Sequence, residues 1–230
     1  MNKRLQLISE YIEDGKGIID VGTDHGYLPI YLAENNYKGN IIASDINHDP
    51  LNKAINNAKA SGAEQKIRFL LCDGLKDCPK EDIDTIVIAG MGGDMIVKIL
   101  DATEWCLSPM YKLILQPMSK QEILRYWLVY NGFEIMDEEL ASENGTIYQI
   151  LTARFGGITK LNDAELYIGK FSLSKNIKLY REQFEVVFKR FERAVTEIKN
   201  GERIPQYRLE LFVEILTQLK EMREKYDFDK

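Results

Sequence analysis

The stretch Gly17-Ile18-Ile19-Asp20-Val21-Gly22-Thr23-Asp24-His25-Gly26-Tyr27-Leu28-Pro29 reads as a short β-branched strand, a glycine-containing turn and the start of a helix. The apolar run is short and uninterrupted, the pattern of a strand buried on both faces. Working outward, Asn40–Ser44 (NIIAS), Lys66–Cys72 (KIRFLLC), Ile83–Ala89 (IDTIVIA) and Tyr111–Leu115 (YKLIL) repeat it. Helical patterns fall between these runs. The clearest is Pro50–Ala60: Asp49 caps it, Pro50 takes the first position, and Leu51, Ala54, Ile55 and Ala58 form one stripe before Ser61-Gly62 ends it. Strand and helix in alternation predict right-handed crossovers and a mainly parallel sheet. Two more runs, Phe133–Met136 and Thr146–Phe155, follow a helical segment at Lys120–Tyr130. Only Asp137–Gly145 separates them, too little for a crossover helix, so they are expected to form an antiparallel hairpin at the sheet edge. The expected fold is α/β: a doubly wound, mainly parallel seven-stranded sheet with an antiparallel edge.

After Phe155-Gly156-Gly157 the period changes. Ile177, Tyr180, Phe184, Val187, Phe191, Ala194 and Ile198 step by three and four, a turn is expected at Asn200–Ile204, and Phe212, Ile215, Leu219, Met222 and Tyr226 resume the spacing after Pro205. This predicts an antiparallel helical hairpin, coiled-coil-like or packed as ordinary helices. The expected division is 1–157, a sheet domain, and 158–230, a helical hairpin domain.

With 230 residues, 45% hydrophobic and 29% charged, the chain is neither disordered nor fibrous and is long enough to bury a core without staples. Cys72, Cys78 and Cys106 fit no zinc spacing, no metal site is expected, and they read as small buried hydrophobes of a reducing cytosol. The first ten residues carry no apolar run of signal-peptide length and no 18-residue apolar stretch occurs, so a cytoplasmic protein without a membrane partner is expected. The net charge of −6 is uneven. Residues 1–155 hold 15 basic and 23 acidic side chains, whereas Lys170 to Arg193 hold seven basic (Lys170, Lys175, Lys178, Arg181, Lys189, Arg190, Arg193) and three acidic. That basic stretch fits a polyanionic partner or a solvated helix face.

The chemistry lies at the carboxyl ends of the strands, where open α/β sheets bind ligands. The turn after the first strand departs from G-x-G-x-x-G because Asp24 takes the second glycine's place, and a carboxylate there repels a pyrophosphate. A cationic or zwitterionic ligand fits better. S-adenosylmethionine is one, with Asp20 or Asp24 meeting its amino group. A parallel sheet closed by an antiparallel strand is the methyltransferase variant of the doubly wound fold. Asp45, 23 residues past Gly22, is placed for both ribose hydroxyls, or else caps the next helix. Asp73 is placed for the adenine amine, with Gly74 leaving room for the ring. Ala89-Gly90-Met91-Gly92-Gly93 presents backbone beside the cofactor, and Met91 offers flat cover for a base. His25 lies in the cofactor loop, while His48 reads as a loop residue.

DVGTDHGYLP, IIASDIN, LLCDG, IAGMGG and LILQP, in this order and spacing, resemble the bacterial tRNA methyltransferases that modify N1 of adenine 22. The resemblance covers nearly the whole chain, the helical end included. DHGYLP and AGMGG are specific to that family, and the other motifs are shared among class I methyltransferases. Where the family often has Asn after Gln-Pro, this chain has Met118. The resemblance implies S-adenosylmethionine as cofactor, held by Asp20, Gly22, Asp45 and Asp73. Thr23, His25, Gly26, Gly74 and Gly90 complete the expected cofactor site. Asp24 is the candidate for stabilising product charge, Tyr27 and Met91 for supporting the base, and the seven basic residues for contacting tRNA. No DNA and no obligate protein partner is expected. The alternatives are a small-molecule methyltransferase and a non-catalytic binding protein whose hairpin recruits a partner.

Overall fold

A computed structural model describes residues 2–199 and 205–228. The turn expected at Asn200–Ile204 lies outside them. One seven-stranded sheet organises the chain: β1 (Ile18–Val21), β2 (Ile41–Asp45), β3 (Ile67–Leu71), β4 (Thr85–Gly92), β5 (Lys112–Ser119), β6 (Phe133–Glu143) and β7 (Thr146–Phe155). Their order is β3-β2-β1-β4-β5-β7-β6. β1 to β5 run parallel, and β7 enters antiparallel between β5 and β6. The doubly wound sheet with its antiparallel edge is therefore as the apolar runs predict.

Neighbouring residues of one strand go to opposite cores, which is why these runs are apolar without interruption. Ile19, Ile42, Ile86, Ile88, Leu113 and Leu115 pack toward α4 (Gly93–Asp101) and α5 (Gln121–Tyr130). Ile18, Ile41, Val87 and Ile114 pack toward α1 (Lys3–Glu10), α2 (Tyr27–Glu34) and α3 (His48–Ala60). α3 begins two residues earlier than the sequence suggests, with Asn47 at the N-cap and Asp49 inside the first turn. An acid in that turn still suits the helix dipole.

The larger difference is β6. Asp137–Glu143, expected as a connection, is strand, and the connection shrinks to Asn144-Gly145, both at positive φ (50° and 77°). Asn-Gly is the strongest two-residue hairpin signal. The strand was masked by its acids, because Glu138 and Glu139 are buried. β6 slips register between Ile135 and Asp137, and its edge N–H groups at Ile135 and Leu140 donate to Thr159 Oγ1 (2.8 Å) and Glu139 Oε1 (3.0 Å).

A third core joins α6 (Asp163–Ile168), α7 (Ile177–Lys199) and α8 (Gln206–Lys225) to Leu140 of β6. Along α7 the buried seam is Tyr180, Phe184, Val187, Phe188, Phe191 and Val195. It drifts from the expected heptad positions, since a straight helix advances 3.6 residues per turn and brings Phe188 and Val195 inward in place of Ala194 and Ile198. Among the described residues no helix is long and apolar enough to cross a membrane.

Candidate functional site

The turn after β1 is shaped by three left-handed residues, Gly22 (φ 71°), Asp24 (φ 50°) and Gly26 (φ 71°). Asp tolerates that region better than most side chains, so Asp24 serves the turn whatever else it does. A Cβ on Gly22 would lie 2.1 Å from Met91 Cε, so the glycine lets Met91 of β4 close over the turn. Gly26 faces the other way: a Cβ there would lie 3.0 Å from Ala54 Cβ, making it the packing glycine between α2 and α3. The turn is tied down by Gly22 and Thr23 N–H groups donating to Ser44 O, and by Asn57 Nδ2 donating to His25 O (2.9 Å).

Above the turn lies a cavity of ≈ 260 Å³. Asp20, Gly22, Thr23, Asp24, His25, Tyr27, Gly90 and Met91 line it, all singled out in the sequence. Asp20 is 7% exposed and accepts from Thr23 Oγ1 at 2.7 Å. Burial pushes its carboxyl up to about 6, against the Thr23 hydroxyl and the Arg4 charge, with Asp45 adding to the rise. Asp24 is exposed, its Oδ2 3.6 Å from His25 Nε2. The rings of His25 and Tyr27 stack at 5.3 Å and 20°, forming an aromatic plate at the cavity mouth.

Asp45, Asp73 and Gly74 sit outside that lining, at the ends of β2 and β3 along the same edge. Asp45 is 7% exposed, and its Oδ1 accepts the Asn47 N–H (2.9 Å). That single bond is the helix-entry role, and it leaves Oδ2 without a protein partner among the described residues. A buried carboxylate with a free oxygen suits a hydroxyl-bearing ligand. Asp73 is exposed, and a Cβ on Gly74 (φ 63°) would meet Ile99 at 3.1 Å, so glycine there answers a left-handed turn and a helix contact. Gly90 (φ 83°) is a bulge, where the β4–β5 register slips between Ala89 and Met91.

The wall also contains residues that sequence reading missed. Asn2, Arg4 and Leu5 of the α1 segment line the cavity, and Arg4 bonds Gln116 of β5, 112 residues away. No local pattern marks such a contact. None of the seven basic candidates reaches this cavity. Lys175 pairs with Asp137 (2.5 Å), Arg193 with Glu197 (2.7 Å), and Arg181 lies over the Phe228 ring. The Lys170 N–H donates to Glu138, while Lys178, Lys189 and Arg190 are exposed. A larger open cleft of ≈ 680 Å³ between α1, β6 and α7 is lined by Tyr11, Glu139 and Lys175, away from the strand ends.

The methyltransferase domain family matches residues 1–151. The tRNA (adenine(22)-N(1))-methyltransferase of Bacillus subtilis is 30% identical, over 94% of this chain and 97% of that protein. The solved structure of the B. subtilis m1A22 tRNA methyltransferase superposes with a TM-score of 0.85 at 30% identity, covering 96% of this chain and 97% of the other. A Streptococcus pneumoniae protein solved in complex with S-adenosyl-L-methionine gives 0.81 at 32% identity, covering 96% and 98%. A match of 30% identity that covers nearly the whole of both chains goes beyond a shared fold, and the chain belongs to the tRNA (adenine(22)-N(1))-methyltransferase family.

Proposed function

We propose that the chain methylates N1 of adenine 22 in tRNA with S-adenosylmethionine as methyl donor, residues 1–157 doing the chemistry and 158–230 holding RNA. The observation that carries the reading is the pair of buried carboxylates, Asp20 and Asp45, at the ends of adjacent strands beside a glycine-walled cavity. These residues fit the donor. Asp20 meets its amino group, the free Asp45 oxygen takes the ribose hydroxyls, and Asp73 takes the adenine amine. When bound, S-adenosylmethionine supplies a methyl group made electrophilic by its sulfonium. Neutral adenine carries no proton on N1, so the chain need not provide a strong base. Its work is to align the base and exclude water. The His25–Tyr27 plate supports the extruded base, Met91, packed over Gly22, covers it with apolar surface, and Asp24 faces the charge that develops on the methylated ring.

The test is transfer of tritiated methyl to an unmodified tRNA transcript, compared with a transcript carrying guanine at position 22 and with a metabolite extract. Label only in the adenine 22 transcript is expected. Label in the metabolite fraction alone overturns the reading.

Two further outcomes follow. Because Asp20 is protonated below about 6, affinity for the cationic donor is expected to fall about tenfold per pH unit below that point. Asp20→Asn flattens this dependence, and a wild-type affinity flat from pH 7 to pH 4.5 rules the contact out. For the same group, stability runs the other way. Its folded carboxyl titrates above the ordinary 3.8 of an unfolded aspartate, so protonation favours the fold as pH falls from about 6 toward 3.8. The second outcome concerns α7. Reversing the exposed Lys178, Lys189 and Arg190 to Glu is expected to lower tRNA affinity and reduce the log–log salt slope by about 2–3. Calorimetric S-adenosylmethionine binding stays unchanged. An unaltered salt slope places the RNA elsewhere.

A further inference from the structure

Arg4 is the one charged side chain that α1 contributes to the cavity wall. Its guanidinium donates to Gln116 Oε1 and lies over the Tyr148 ring, 5.6 Å from the centroid. The same Oε1 accepts the Gly90 N–H at 3.1 Å. Gln116 is 0% exposed, and its amide nitrogen donates to Pro117 O (2.9 Å) and faces Met118 Sδ (3.6 Å). Both ends of the amide are consumed, so Gln116 has nothing left with which to read a substrate. What it does is hold Gly90. At that bulge the Gly90 N–H is taken by a side chain, and Gly90 is a left-handed glycine where the β4–β5 register slips. The bulge stands between Ala89 and Met91, both in the cavity wall.

We propose that Arg4 is a positioning residue for methyl transfer: through Gln116 it fixes the Gly90 bulge, and so holds the Gly90–Met91 wall against the Asp20–Thr23 turn. The proposal rests on the methyl-transfer reading above and adds to it. A bidentate-capable cation aimed at a buried amide is a directional clamp, stiffer than the apolar contacts of Leu5 and Ile8 that dock α1. Its charge has a second use. Asp20 is faced by Thr23 from its own turn, Arg4 from α1 and Asp45 from β2, and Arg4 is the sole cation of the three, favouring the ionised carboxylate.

The experiment uses the full-length chain with Arg4→Ala and Arg4→Lys, measuring steady-state methylation of a tRNA transcript, S-adenosylmethionine affinity, the pH profile and the melting temperature. For Arg4→Ala, kcat is expected to fall about a hundredfold while KM for tRNA moves less than about threefold. The acid limb of kcat/KM moves to higher pH, and added guanidinium ion restores part of kcat. Arg4→Lys, which keeps the charge, returns the acid limb to its wild-type position. Should Arg4→Ala fail to fold, Arg4→Gln gives the same readings. A wild-type kcat in the variant overturns the proposal. So does a loss of kcat that tracks melting temperature and ignores guanidinium. A wild-type chain that labels no tRNA overturns the functional reading itself, whereas equal labelling by wild type and Arg4→Ala overturns only the role of Arg4.

Discussion

Arg125→Ala is expected to destabilise the chain by about 3–5 kcal/mol, because it strands a buried carboxylate. Arg125 is 1% exposed and uses its whole fork: Nε donates to Glu138 Oε1 (2.7 Å), Nη1 to Leu166 O (2.8 Å) and Nη2 to Gln149 Oε1 (2.6 Å). Glu138 Oε2 accepts the Lys170 N–H (2.8 Å) and nothing else neutralises it among the described residues. One guanidinium therefore joins α5, β6, β7 and α6. For a chain of this length the loss corresponds to a melting temperature lower by roughly 10 °C. Arg125→Met, which keeps the volume, should lose nearly as much, since the orphaned charge is the cause. Adding Glu138→Leu to it should recover most of the loss. Calorimetric melting decides: a single variant melting with the wild type removes the ion pair from the account of stability.

Asp45→Ala is expected to weaken S-adenosylmethionine binding by one to two orders of magnitude, through loss of charge-assisted bonds to the ribose at about 1.5–3 kcal/mol. Asp45→Asn separates the two duties of the residue. An amide oxygen can still accept the Asn47 N–H and preserve the entry to α3, so the fold is kept and the ribose contact weakened. Isothermal titration with both variants is the check, and wild-type affinity in folded Asp45→Ala ends the assignment.

The strand ends were legible because a strand buried on both faces reads as a short uninterrupted apolar run, and a carboxylate at or just past the carboxyl end of such a run stands at the sheet edge. Asp20 and Asp73 stand out this way, and Asp45 by its spacing of 23 residues from Gly22 as well. Arg125 and Glu138 were not legible: in sequence each is one more charge on a helix or in a loop, and only a third element brings them together. Arg4 failed for the same reason, with its partner 112 residues downstream. Asn144-Gly145 was readable as a hairpin turn, but the strand before it carries Glu138 and Glu139, and burial of an acid depends on a partner that local pattern does not reveal. The helical end looked independent in its heptads. Yet Thr159 and Lys170 bond to β6 and Leu166 O accepts from Arg125 of α5, so a chain cut at Gly157 would leave Ile135, Arg125 and Glu138 short of partners.

The outer edge of β6 has a bearing on solubility. A strand of 11 residues at the rim of a sheet is a template on which another chain's strand can add. Here the register slip after Ile135 kinks the ribbon, and Thr159 and Glu139 occupy backbone donors that an incoming strand would need. Leu140 is roofed by the helical core, and Lys175 with Asp137 places charge beside it. The helical segment thus guards the enzyme against edge-to-edge association while it waits for RNA. Light scattering on heating should rise earlier in Thr159→Ala than its loss of melting temperature alone would give.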